Sequence, residues 1–317
     1  MLSILLPVNS HSGYFLPTIK SLSAATSAFK LPTELIVVLN GVLEKEEGLI
    51  RQDLESYPFK KIVIFSGAKN LAQVLNEGIE QCSFEFVARI DQDDICDATR
   101  FILQFQKLLH NENIALVGGQ VILINSKNDI IGKANYPIKS KKIVKRLESG
   151  NCFAHPAVMF RKSAVIEVGG YRNDFPIAED YDLWVRLSKN WLLSNLSSVV
   201  ISYRIHPSQV SSSRFNLQLC STVEIMAEQA NLLSPELVKE LHSLNDHGDR
   251  EIFQSILETP YLKNHKKFLG LVALMIFRRS SAHTQISLLE KGNFLRVAFI
   301  SSPVRTVIEL YKMLQKN

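Results

Sequence analysis

The chain has 317 residues, 46% hydrophobic and 21% charged, with a formal net charge of +5. That balance argues against disorder, and the length accommodates one large α/β domain with a smaller appendage. The basic excess is local, with ten lysines and arginines against two glutamates between 262 and 317, and it lacks the motifs or interleaved aromatics that would point to nucleic acid.

Leu2–Val8 reads as an apolar strand that ends at Pro7-Val8-Asn9, and Tyr14–Ala28 then carries apolar residues at helical spacing. The N-terminus lacks a charged leader region, and its apolar run stops at Pro7, so it reads as the first strand of a cytoplasmic protein. Glu34–Leu39 repeats the strand pattern and breaks at Asn40-Gly41, before a charged helix over Glu44–Ser56. Lys61–Phe65 is a third strand, leading through Ser66-Gly67-Ala68-Lys69-Asn70 into a helix over Leu71–Gln81. Strands alternating with helices predict an α/β fold with a mixed, mostly parallel sheet. In such a sheet the loops at Pro7-Val8-Asn9, Asn40, Lys69-Asn70 and Asp91-Gln92 share one edge and can line a nucleotide crevice. Neither a G-x-G-x-x-G nor a P-loop is present, so phosphate charge would have to be met by a metal.

Phe84–Ile90 is the fourth strand, and it runs directly into Asp91-Gln92-Asp93-Asp94. Carboxylates packed this closely raise one another's pKa unless a cation joins them, which points to Mn2+ or Mg2+; a solvated acidic loop is the plainer reading. Arg100–Leu109 reads as a helix, Ala115–Ile124 as a strand with a turn at Asn125–Asp129, and Lys139–Arg146 as a flexible basic loop. His155-Pro156 precedes a strand over Ala157–Phe160, and Arg161–Val168 supplies one or two helical turns. Glu179 and Asp180 fall near the start of the next helix, where the dipole favours carboxylates on structural grounds alone. Four scattered cysteines (Cys82, Cys96, Cys152, Cys220) give neither a zinc spacing nor a disulfide framework, and no run reaches the roughly 18 apolar residues of a membrane span.

Taken in order, Ile4–Asn9, Glu34–Val38, Asn70 with Asn76, Ala88–Ile95, Arg100-Phe101, His155–Arg161, Gly169-Gly170-Tyr171, Glu179–Trp184 and Tyr203–His206 resemble a family 2 glycosyltransferase of the GT-A fold. The resemblance covers about the first 210 residues. It implies an inverting enzyme that transfers a sugar from a nucleotide diphosphate donor, with a UDP-sugar favoured, to a glycan or glycolipid acceptor in polysaccharide or lipopolysaccharide assembly. It implies Asp91 near the ribose and metal, Asp93 as a direct metal ligand, and Asp180 as the base that deprotonates the acceptor hydroxyl; Asp94 orients the loop or binds through water. Pro7, Val8, Asn9, Asn40, Lys69, Asn70, Asn76, Asp91 and Gln92 would contact the nucleotide sugar. Glu179 and His155 would line the acceptor or sugar pocket, and His206 would join Asp91 and Asp93 at the metal. A surface histidine at 206 and a structural loop histidine at 155 are the plainer readings. Many relatives carry an aspartate pair where this chain has Asn40-Gly41, the usual glycine after Asn70 is Ala72, and Cys96-Asp97-Ala98-Thr99 replaces a proline-bearing loop.

These readings place a glycosyltransferase domain at 1–213 and a helical region at 214–317, with helices over Asn216–Ala230 and Pro235–Leu244. Within 262–279, lysines and arginines flank a ten-residue apolar run, Phe268–Phe277, which suits either a buried helix or one lying against anionic lipid at the inner face of the cytoplasmic membrane. Two other functions fit parts of the pattern: a catalytically inactive nucleotide-sugar or glycan binding protein, and an aspartate-nucleophile phosphohydrolase.

Overall fold

The computed structural model describes residues 1–175, 177–206, 215–244 and 252–260, together with isolated positions between 262 and 273. The chain divides into two compact units, one of residues 1–144 and 152–209, the other of residues 145–151 and 210–317.

The first unit is built on one sheet. Its strands are β1 (Leu2–Val8), β2 (Thr33–Asn40), β3 (Lys60–Ser66), β4 (Phe86–Arg89), β5 (Ile95–Cys96), β6 (Ile114–Ile124), β7 (Ile130–Ala134), β8 (Met159–Arg161) and β9 (Leu192–Arg204). Their order is β3-β2-β1-β4-β8-β6-β9-β5, with β7 pairing to β6. β1 is parallel to β2 and β4, and β2 is parallel to β3. The short β8 runs antiparallel to both β4 and β6, and β6 is again parallel to β9. Strands that run the same way deliver their C-terminal ends to one edge, and β1, β2, β3 and β4 do so here.

β1 is buried on both faces, as expected where helices cover a parallel sheet. Helix α1 (Phe15–Phe29) turns Phe15, Ile19, Leu22 and Phe29 inward at helical spacing. Helices α2 (Glu44–Leu54), α3 (Leu71–Gln81) and α4 (Arg100–Leu109) follow β2, β3 and β5. α4 is fastened to the sheet by polar groups. The buried Gln104 donates to the carbonyls of Val117 and Ala157 (2.8 and 2.7 Å), and its oxygen accepts from Arg100 Nε (3.0 Å). Gly118-Gly119 let β6 meet an irregular stretch of β9, where the register shifts; a Cβ on Gly119 would stand 2.6 Å from Val200.

Two sequence expectations change here. The basic stretch at Lys139–Arg146 is not a loop but helix α5 (Ser140–Leu147), because Ile143 and Leu147, four residues apart, are buried while Lys141, Lys142 and Lys145 stay exposed. Residues 155–157 form a 3-10 turn, and the strand begins only at Met159. Helices α6 (Lys162–Glu167) and α7 (Glu179–Asn190) complete the first unit.

In the second unit, α8 (Phe215–Gln229) and α9 (Pro235–His242) pack through Cys220, whose thiol donates to the Leu241 carbonyl at 3.4 Å. Ser234 caps α9 by accepting from the Leu237 N–H, and α10 (Ile252–Glu258) follows. The basic, apolar segment 262–279, apart from the isolated positions named above, and all that follows it lie outside the described residues. No helix among the described residues is long and apolar enough to cross a membrane.

Candidate active site

The end of β4 and the turn after it place Asp91, Asp93 and Asp94 so that one ligand atom from each lies within 4.8 Å of the others. Two elements hold this turn. Thr18 of α1 donates its hydroxyl to the carbonyls of Gln92 (3.0 Å) and Asp94 (2.8 Å). Arg204, at the end of β9, gives its backbone N–H to Asp94 Oδ1 (2.9 Å) and its Nε to the Asp93 carbonyl (2.8 Å). The Arg204 guanidinium also stacks over Tyr14, 4.4 Å from the ring centroid, and reaches Asn125 and Asn128 in the β6–β7 turn. Asp94 is fully buried, so it anchors the turn as well as facing the cluster.

Arg89, the last residue of β4 and 2% exposed, lays its two terminal nitrogens on the two oxygens of Asp91 at 2.5 and 2.8 Å. The Asp91 side chain remains 30% exposed, but the protein around it still raises its pKa to about 6. Desolvation is the main cause; Arg89 opposes it, and Asp93 and Asp180 add to it. Asp94 is pushed well above the ordinary range, first by burial and then by Asp91 and Asp93. Asp93 Oδ2 lies 2.7 Å from His206 Nε2, and the His206 ring packs on Tyr14.

The cluster can be tested for a divalent cation on the Asp94 side chain. Its Oδ2 is buried and has no hydrogen-bond partner among the described residues, although it faces two further carboxylates. A hard cation with oxygen ligands satisfies such an atom, so the residues fit Mn2+ or Mg2+.

Across from the cluster, α7 begins with Glu179 and Asp180. Asp180 is partly exposed, and its Oδ1 accepts from the Tyr181 N–H at 2.7 Å. Glu179 is buried; desolvation and then Asp180 raise its pKa to about 8, so it is mostly protonated near neutrality. Its Oε1 lies 3.6 Å from His155 Nδ1, and His155 Nε2 is 2.9 Å from the Tyr171 hydroxyl. Burial, with Arg89 nearby, holds His155 well below its usual range and therefore neutral.

The turn before α7 is clamped from two sides. Asn76 of α3 places both ends of its amide on the Tyr171 backbone (2.8 and 2.9 Å). Asp182, 1% exposed, receives Arg172 and Arg186, and Arg186 also donates to the carbonyls of Val168 (2.5 Å) and Gly170 (2.7 Å).

The remaining expected donor contacts are placed as follows. Pro7 and Val8 are buried at the end of β1. Asn9 and Gln92 bond to each other through backbone and side-chain amides (3.0 and 3.1 Å). The Asn40 amide nitrogen, in the orientation its neighbours require, reaches the carbonyls of Ser66 and Ala68. Asn70 caps α3 by accepting from the Gln73 N–H (3.0 Å), and Lys69 is exposed beside an open groove that also touches Gln73 and Asn76. Asp91, Asp93, Asp94 and His206 therefore gather at one point, and Glu179 and His155 meet at another. Asn76 and Asn70 serve the backbone. Sequence reasoning singled out neither Arg89 nor Asp182; the available signal for Arg89 was a lone cation inside an apolar strand just before three carboxylates.

The profile described as Glycosyl transferase family 2 matches residues 3–169, and the chain belongs to that family. It is 31% identical over 231 residues to the O-antigen biosynthesis glycosyltransferase WbnJ of Escherichia coli, covering 71% of this chain and 87% of WbnJ. A second Escherichia coli relative, the UDP-Gal:alpha-D-GlcNAc-diphosphoundecaprenol beta-1,3-galactosyltransferase, is 27% identical over 174 residues, 55% of this chain and 63% of that one. Among solved structures, the mannosyltransferase PcManGT from Pyrobaculum calidifontis, in complex with GDP-Man and Mn2+, matches with a TM-score of 0.55 at 14% identity, over 96% of this chain and 82% of that one. That likeness is one of fold, the GT-A arrangement of a mixed, mostly parallel sheet flanked by helices.

Proposed function

We propose that the chain is an inverting, metal-dependent glycosyltransferase that moves a sugar from a nucleoside diphosphate donor, with a UDP-sugar favoured, to a hydroxyl of a glycan or lipid-linked acceptor in cell-surface polysaccharide or lipopolysaccharide assembly. The observation that carries this reading is the convergence of three carboxylates at the end of β4 with a partly exposed carboxylate, Asp180, among the charges that act on Asp91. The donor and acceptor classes follow the named relatives, of which one uses UDP-Gal on a diphosphoundecaprenol-linked sugar.

In this reading Asp93 holds the cation, with Asp94 and Asp91 beside it and His206 bonded to Asp93. When bound, Mn2+ or Mg2+ neutralises the charge that develops on the departing nucleoside diphosphate. The loops carrying Asn9, Asn40, Lys69 and Gln92 flank the nucleotide. Asp180 accepts the acceptor's hydroxyl proton as that oxygen bonds to the anomeric carbon and the bond to the diphosphate oxygen breaks on the opposite face, which inverts the centre. Glu179 is a poor base because burial keeps it protonated; it lines the pocket with His155. Residues 1–213 make up the catalytic domain, and the basic tail at 262–317 brings it to the inner face of the cytoplasmic membrane.

The test is sugar transfer from UDP-sugars with Mn2+ present. Asp180→Asn is expected to lose roughly 10²–10⁴ of the turnover, the ordinary contribution of a general base, and Asp93→Ala is expected to lose response to Mn2+. Full turnover in either variant would overturn the role assigned to that residue.

A further inference from the structure

Of the buried arginines around the site, Arg100 turns its guanidinium on the carbonyls of Arg89 and Val158 and on Gln104. Arg204 turns its guanidinium on the Asp93 and Asn125 carbonyls and on Asn128. Arg89 differs, because its fork engages both oxygens of a cluster carboxylate. Its Nε is buried without a partner among the described residues, so the pair with Asp91 is what the side chain is built around. Among charged groups Asp91 acts on it most strongly and Asp94 also acts on it, so Arg89 belongs with the three-aspartate cluster.

A bidentate guanidinium occupies a direct lone pair on each carboxylate oxygen and places a full positive charge a few ångströms from any cation those oxygens would bind. Asp91 therefore faces two competing cations, of which one is covalently part of β4. We infer that Arg89 is a positioning residue that withholds Asp91 from the divalent cation, so that the protein binds the metal firmly only together with the donor's diphosphate. This rests on the metal-dependent reading above. The diphosphate supplies the anionic oxygens that Asp91 does not, and once the nucleoside diphosphate product departs the metal is again weakly held. Asp91, fixed by the fork in one orientation, stays available to the donor.

The experiment is calorimetric titration of the full-length protein with MnCl2, with and without UDP, for the wild type and for Arg89→Gln, Arg89→Lys and the double variant Arg89→Gln/Asp91→Asn. In wild type, UDP is expected to tighten Mn2+ binding at least about tenfold. Arg89→Gln is expected to bind Mn2+ at least about tenfold more tightly than wild type when nucleotide is absent, and to lose most of the UDP effect. Arg89→Lys keeps the charge and is expected to stay near wild type. Arg89→Gln/Asp91→Asn, which removes both charges of the buried pair, is expected to alter nucleotide-free Mn2+ binding by less than about threefold, and it keeps the test alive if Arg89→Gln alone does not fold. A merely structural Arg89 would give weaker or unchanged Mn2+ binding in Arg89→Gln, and that result overturns the inference, as does loss of nucleotide-free binding in the double variant. Wild type that takes up no Mn2+ with or without UDP sinks the metal-dependent reading and this inference with it, and is distinct from a wild type that binds while Arg89→Gln fails to tighten.

Discussion

Asp182 offers the sharpest test of how the start of α7 is held. Its carboxylate is 1% exposed and accepts from Nε and a terminal nitrogen of both Arg172 and Arg186. Asp182→Asn keeps the shape, removes the charge, and replaces one acceptor oxygen with an N–H donor that faces guanidinium donors. Breaking one side of a buried pair costs about 3–5 kcal/mol. Arg172 is 30% exposed and can recover water, so the lower end, about 3 kcal/mol, is the expected loss. At about 2–4 °C per kcal/mol for a unit of this size, the melting temperature should fall by about 6–12 °C. Arg186 also ties down the carbonyls of Val168 and Gly170, so Asp180 should lose its alignment as well, and turnover should fall by about tenfold or more. The assay is thermal denaturation alongside sugar transfer, with Lys189→Ala, an exposed change on the same helix, as control. A melting temperature within 2 °C of wild type, with turnover intact, would show that the network does not position α7.

Two further outcomes follow from the same region. Glu179 has its folded-state pKa raised to about 8 from an ordinary 4.5, so its contribution to stability is complete below about 4.5 and is lost as pH rises through about 8. Melting temperatures measured from pH 5 to pH 9 should therefore decline less steeply in Glu179→Gln than in wild type; parallel curves would refute the assignment. Gly170 has a positive φ of 69°, and a Cβ there would stand 2.7 Å from Asn76 Oδ1. Gly170→Ala is expected to destabilise the fold by about 1–3 kcal/mol, read by denaturant titration, whereas Gly67→Ala, with nothing within 4 Å of the new carbon, should be close to neutral.

Most of the first unit was legible because its elements follow two clean periods. α3 and α4 begin and end at the expected residues, β1 and β2 are set by apolar runs of the kind a sheet covered on both faces requires, and the half-buried edge strand β3 is marked by its short run Ile62–Phe65. β9 was not legible. Its thirteen residues, Leu192–Arg204, carry Ser194, Ser197 and Ser198 among the aliphatics, and the shift in register against β6 at Gly118–Val121 removes the simple alternation. α5 was missed for the opposite reason: two buried residues suffice to seat an eight-residue helix, and its basic half reads as a loop. The acidic cluster itself stood out in the sequence, but its support did not. Thr18 and Arg204, which hold the cluster, and Asn76, which holds the turn before α7, reach across separations of 76, 110 and 95 residues, distances over which no local pattern operates.

The charges of the site constrain what it can take up. Asp91 and Asp94 both have their pKa raised, first because burial opposes their charge and then because the carboxylates act on one another, and Arg89 offsets this only in part. On the α7 side burial keeps a proton on Glu179, and Asp180 is the partly exposed carboxylate beside it. A nucleoside diphosphate entering this region adds negative charge to a place already deficient in cations, and its binding alone would be opposed by Asp91, Asp93 and Asp94. A divalent cation arriving with the diphosphate reverses the sign of that interaction. Protons compete for the same oxygens, so lowering the pH should weaken Mn2+ binding as measured by calorimetry, with Asp94, the buried carboxylate whose pKa is pushed well above the ordinary range, among the groups that take up the proton.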